Sequence, residues 1–98
     1  MEELLGSCEG FDGDKANRLK NWEKHRVSPV ECEQVFFNQP LVSGSDETQP
    51  KQEPRCFALG RADTGRPLFL VFTVRRKLIR VISARDMSRR ERKVYESS

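Results

Sequence analysis

Residues 55–86, RCFALGRADTGRPLFLVFTVRRKLIRVISARD, decide the fold. They hold three apolar segments, 55–61, 67–74 and 78–84, joined by the turn-like ADTGRP and the short RRK. Links this short permit hairpins and leave no room for crossover helices, so the segments predict an antiparallel β-meander. A short strand near Pro40–Val42 adds an edge, giving three to four strands. Side chains alternate between the faces of a strand. Arg55, Phe57, Leu59 and Arg61 therefore share one face, and Arg80 stands mid-strand with Leu78 and Ile82.

Upstream the period changes. In KANRLKNWEKHR, which follows Asp14, Ala16, Leu19 and Trp22 recur at helical spacing, predicting an amphipathic helix over 15–25. Ser28, Pro29 and Glu31 form a capping box with proline at the first helical position. They open a second helix, 29–37, that should carry Val30, Cys32, Val35, Phe36 and Phe37 into the core. The polar, Pro-bearing stretch 44–54, GSDETQPKQEP, reads as a mobile loop. Ser88 and Glu91 repeat the capping-box pattern and open a C-terminal helix over 89–96. The predicted class is α+β, with helices on one face of a twisted antiparallel sheet and the other face left for a ligand.

The 98 residues fit one domain, 1–98, with an acidic leader over 1–10. The longest apolar run, Leu68–Val74, is far below the roughly 20 residues that a membrane helix needs. The N-terminus MEELLGSCEG lacks the basic and long apolar regions of a signal peptide, so the expected location is cytoplasmic. Cys8, Cys32 and Cys56 are odd in number and widely spaced, which argues against a disulfide framework and a zinc site. No metal or cofactor is expected.

Charge is concentrated at the C-terminal end. Arg75–Tyr95 holds nine cationic side chains against Asp86 and Glu91, while the whole chain carries only +3. Clustered guanidinium groups suit a phosphate-rich partner, because their fork matches phosphate geometry and binding releases counterions. Arg89, Arg90 and Lys93, taken singly, read better as a solvated helix surface than as functional groups. Arg80 and Arg85 are placed by the sheet, and read as phosphate ligands. Their opposite parity lets them reach one site only if the strand ends or bulges near Ser83. His25, the only histidine, either favours the dipole at its helix end or transfers protons near neutrality.

The ordered segments FDGDKANRLKNWEKHRVS, VFF, RCFALGRADTGRPLFLVFTVRR and IRVISARDMSRRERKVYE resemble the BrnT family of type II toxin–antitoxin ribonucleases over about residues 11–96. Asn21, Lys24-His25, Arg55, Ala58-Leu59-Gly60, Thr73, Arg75, Ile79-Arg80, Ser83-Ala84-Arg85, Glu91-Arg92 and Tyr95 fall where that family's pattern places them. The resemblance implies a RelE-like fold, RNA cleavage that halts translation, and a cognate antitoxin with a ribbon-helix-helix DNA-binding part in a hetero-oligomer. Arg80 and Arg85 are then expected at the scissile phosphate, with His25 or Tyr95 in proton transfer. Arg55, Arg75, Lys24 and Arg92 are expected to position RNA. The reaction fits metal-independent attack by the neighbouring 2′-hydroxyl. The rival reading is a non-catalytic basic module that binds RNA or the ribosome. Gly13, Asn17 and Arg26 depart from the pattern, with Arg26 standing where a glycine usually follows the histidine.

Overall fold

The computed structural model describes residues 8–12, 15–45 and 55–98. The leader through residue 7, Gly13, Asp14 and residues 46–54 of the loop expected over 44–54 lie outside the described residues, as do the side chains of residues 15–19, while Gly44 and Ser45, expected in that loop, belong to a strand. In chain order the elements are β1 (Gly10–Phe11), α1 (Lys15–His25), α2 (Pro29–Val35), β2 (Val42–Ser45), β3 (Cys56–Arg61), β4 (Pro67–Arg75), β5 (Leu78–Asp86) and α3 (Arg89–Glu96). The sheet runs β1-β5-β4-β3-β2.

The expected meander forms β2 to β5, all antiparallel. The fifth strand corrects the expectation: β1 pairs parallel with β5, Gly10 against Leu78 and Phe11 against Ile79, so the sheet is mixed. Two residues are too few to show strand alternation in a sequence. What holds them is the Phe11 ring, which packs 5.7 Å from Phe36 beside the core. The other edge strand starts at Val42 and leaves Pro40 outside it, since proline has no amide to offer a ladder.

One face of the sheet presents Ala58, Leu68, Leu70, Phe72 and Ala84 to Val27, Cys32 and Val35, all buried. Gly60 lets α2 approach, because a Cβ there would stand 2.6 Å from Val35 Cγ1. Helix α2 ends at Val35, two residues short of its expected length. Val30 and Phe37 were both expected inside and are 60% and 77% exposed. Val30 lies two residues from Cys32, on the far side of a 3.6-residue turn, and Phe37 follows the helix end. Trp22 is also largely exposed and lies 5.4 Å from the Arg26 guanidinium. The expectation that all helices share one face fails as well. Helix α3 crosses the opposite face, where Arg90, Glu91 and Val94 stand above Phe57, Phe69 and Val71.

Arg66 ties the helical layer to the sheet with all five of its donors. Nε and Nη2 give a two-pronged contact to Asp86 at 2.7 and 3.2 Å. Nη1 donates to Glu31 at 3.1 Å and to the Arg26 carbonyl at 2.9 Å, and Nη2 also donates to the His25 carbonyl at 3.0 Å. One side chain thus closes the end of α1, the capping box of α2 and the end of β5. Arg26 leaves α1 at φ +53°, the left-handed conformation that favours glycine. Arg76 and Lys77 turn the β4–β5 hairpin at φ +53° and +64°, as in a type I′ turn that prefers Asn-Gly.

Two outcomes are expected in thermal or denaturant unfolding. Arg66→Met should cost on the order of 2–3 kcal/mol, by leaving carboxylates and helix-end carbonyls unpaired. Replacing Arg76 by Asn together with Lys77 by Gly should add about 1–2 kcal/mol by relieving the two left-handed residues.

Candidate functional site

The site begins with an irregularity in β5. Its ladder with β4 pairs Leu70 with Ala84 and Val71 with Ser83, then shifts so that Phe72 meets Val81. Ile82 is the extra residue. A one-residue bulge inverts the alternation beyond it, so Ala84, Val81 and Ile79 face the core while Arg85, Ser83 and Arg80 share the opposite face. This resolves the parity conflict between the two arginines. Next to the bulge, the buried Asn21 side chain of α1 accepts the Ala84 amide at 3.2 Å and fixes the helix to the strand.

The register arranges the open face as rows across the sheet. Thr73, itself buried, stands opposite Arg80, and the β3–β4 register continued by one residue sets Arg55 on its other side. The next row is Phe57, Val71 and Ser83, and the next Leu59, Phe69 and Arg85. Arg55 and Arg80 thus flank Thr73 two strand spacings apart, about 9–10 Å between backbones. Arg85 lies four ladder steps from Arg80, about 13 Å. Arg75 continues the hairpin end of the same face, opposite Leu78.

Between the cationic rows the floor is apolar. Phe57 and Phe69 lie nearly parallel at 13°, with centroids 6.4 Å apart. The Arg85 guanidinium covers Phe69 at 4.4 Å from its centroid and pairs with both Glu91 oxygens at 2.8 and 2.9 Å. A cavity of about 550 Å³ stands over this floor, with Arg55 and Arg90 in its wall and α3 along one side. That volume lies in the range of small-ligand sites, about 300–1,000 Å³.

The charges are tuned by these contacts. The hydrogen bond from Arg85 holds the Glu91 carboxyl below its ordinary value, against a smaller opposing effect of burial. The hydrogen bond from Arg66 lowers Asp86, with further help from the charges of His25 and Arg92. Burial pushes Glu31 up, but the Ser28 amide and Arg66 together outweigh it and leave it lowered. Burial, aided by Glu31 and Glu33, raises the Cys32 thiol to about 11, and burial raises Cys8 and Cys56 too. These thiols are poor nucleophiles at neutral pH.

A search of curated proteins finds no match. A sequence model of the BrnT ribonuclease toxins of type II toxin–antitoxin systems matches residues 14–91. The chain belongs to the BrnT family. Membership makes it a ribonuclease toxin of a type II system and implies a cognate antitoxin. In this BrnT chain the cations singled out in the sequence fall into two groups. Arg55, Arg75 and Arg80 gather at the hairpin end of the open face. Lys24 and His25 end α1, whose last carbonyls Arg66 holds beside Asp86, while Arg92 stands on α3, and the charges of His25 and Arg92 both reach Asp86. Tyr95 donates to the Pro40 carbonyl at 2.8 Å, and burial raises its phenol.

Sequence reasoning missed three parts of this candidate site: the Phe57–Phe69 floor, the roof made by α3, and the pairing of Glu91 with Arg85. The capping-box role of Glu91, which the structure retains, hid its second use. Its lowered carboxyl gives stability that is present above its ordinary value of 4.5 and is lost as pH falls through the lower folded value. Glu91→Gln should therefore lower the melting temperature at pH 7. The difference from wild type should shrink as pH drops from about 5 to 3. A pH series of melting curves on both proteins checks the sign.

Proposed function

We propose that the chain is a metal-independent endoribonuclease that draws single-stranded RNA across the open sheet face and thereby inhibits translation. The observation that supports this best is the bulge at Ile82, which sets Arg80 and Arg85 on the face that also holds Arg55 and Arg75. Four guanidinium groups on a preorganised sheet supply fixed positive charge where a phosphorane would develop negative charge. Family membership supplies the reaction class.

In this reading the neighbouring 2′-hydroxyl attacks its own phosphorus and the 5′-oxygen leaves. Arg80 and Arg85 hold the non-bridging oxygens, and Arg55, Arg75, Lys24 and Arg92 position the strand. His25 and Tyr95 are the proton-transfer candidates, His25 as an imidazole with one nitrogen to give a proton and one to take it and Tyr95 as a phenol that burial keeps protonated. Arg85 gives Nη1 to the Asp86 carbonyl and Glu91 and one Nη2 hydrogen to Glu91, so it meets a phosphate with Nε and its second Nη2 hydrogen while the pair stays intact. The protein acts in the cytoplasm with a RelE-like architecture. A ribbon-helix-helix antitoxin neutralises it in a hetero-oligomer by covering the basic face.

RNA should be cut in the presence of EDTA; activity restored only by a divalent ion would refute metal independence. In single-turnover assays Arg80→Ala or Arg85→Ala should slow cleavage about a hundredfold, the scale of one lost preorganised donor. Lysine at either position should restore binding better than turnover. Arg89→Ala and Lys93→Ala should weaken binding modestly and leave the maximal rate nearly unchanged, with melting curves controlling for Glu91 left unpaired in Arg85→Ala. Equal small losses at all four positions, with RNA bound and intact, would favour the non-catalytic binding module.

A further inference from the structure

We infer that the cavity beneath α3 is a subsite for one unstacked nucleobase, which lies on the Phe57 ring while its own phosphate is held by Arg55 and Arg80. The inference rests on the proposed RNA reading and names the part of the substrate that this cavity takes.

Phe57 sits one row along the open face from Arg55, Thr73 and Arg80. That step is about 6.7 Å along the strand, the scale on which a single nucleotide reaches from its phosphate to its base. A base leaving the stack at a phosphate on that row therefore arrives over Phe57. The ring is held flat by its cross-strand partner: Gly44 pairs with Phe57, and a Cβ on Gly44 would stand 2.8 Å from Cε1 and 2.9 Å from Cζ. A side chain there would tilt the ring away. The near-parallel Phe69 ring, with the Arg85 guanidinium over it, bounds the subsite on the next strand. Planar groups of common orientation suit a planar base, and stacking on aromatic and guanidinium faces is how proteins hold unpaired bases.

Charge also selects this occupant. The cavity wall carries Arg55 and Arg90, and its carboxylate, Glu91, already has both oxygens engaged by Arg85. An apolar floor edged by these two arginines matches a base with its phosphates better than a neutral apolar side chain.

The test uses the full chain and a short single-stranded RNA that wild type cleaves, made as a series with one abasic position at a time. Binding is measured with 2′-deoxy substitution at the scissile nucleotide, which blocks the attack. In wild type, one abasic position near the scissile phosphate should weaken binding about tenfold, the effect of one lost base–aromatic stack. Phe57→Leu, which keeps an apolar side chain without the π face, should bind intact RNA about tenfold more weakly and be indifferent to the abasic position. Phe57→Trp should restore both affinity and abasic sensitivity. Gly44→Ala should behave like Phe57→Leu while its melting curve stays cooperative. If wild type cuts RNA but no abasic position matters, or Phe57→Leu keeps full affinity, the base subsite is overturned while the ribonuclease reading stands. If Phe57→Leu instead weakens only capture of the cognate antitoxin, the cavity is a protein-docking groove and the inference fails. Failure of wild type to bind or cut any RNA overturns both readings together.

Discussion

The open face depends on one extra residue in β5. Without Ile82 as a bulge, strand alternation would send Arg80 and Arg85 to opposite sides of the sheet, and one of them would be driven into a core of Leu70, Phe72 and Ala84. Burying an uncompensated guanidinium there would cost several kcal/mol. The irregularity is held from the core side: Asn21, a buried polar side chain on α1, takes the Ala84 amide next to it. A helix in one layer thus fixes which side chains appear in the other.

The two faces divide the chemistry of the chain. The core side holds the raised thiols of Cys32 and Cys56 among aliphatic side chains. The open side holds arginines over an aromatic floor, roofed by a helix whose mean character is cationic. Arg66 stands at the seam, engaging carboxylates from both layers and the carbonyls that end α1. Its neighbours Asp86 and Glu31 are kept charged by that contact, which keeps the layers registered under neutral conditions.

Much of this architecture was legible in the sequence because local rules dominate where it was read. Period-3.6 spacing gave α1 its observed bounds, the two capping boxes gave the starts of α2 and α3, and short links between apolar segments gave the antiparallel order of β3, β4 and β5. Four features were not legible. The strand β1 is two residues long and owes its place to tertiary packing of Phe11 on Phe36. The side of the sheet taken by α3 is set by Val94, Glu91 and the Tyr95–Pro40 contact, none of which shows a face preference in sequence. The bulge left only an indirect trace, the parity conflict of Arg80 and Arg85, which was visible as a conflict but not as its solution. The Phe57 floor was hidden because an aromatic on a strand reads equally as core.

Glu91 performs two tasks with one carboxylate. Its Oε1 accepts the Ser88 amide at 2.7 Å to start α3, and both oxygens grip Arg85. Ser88 returns the contact through its hydroxyl to the Glu91 amide. Positions 85, 88 and 91 are therefore non-additive under mutation, since altering any one changes what the other two are worth. Replacing Arg85 alone leaves the Ser88–Glu91 cap standing, whereas replacing Glu91 releases the strand end and the helix start at once. The three side chains form one energetic unit, in which the end of a strand and the start of the helix above it answer to the same carboxylate.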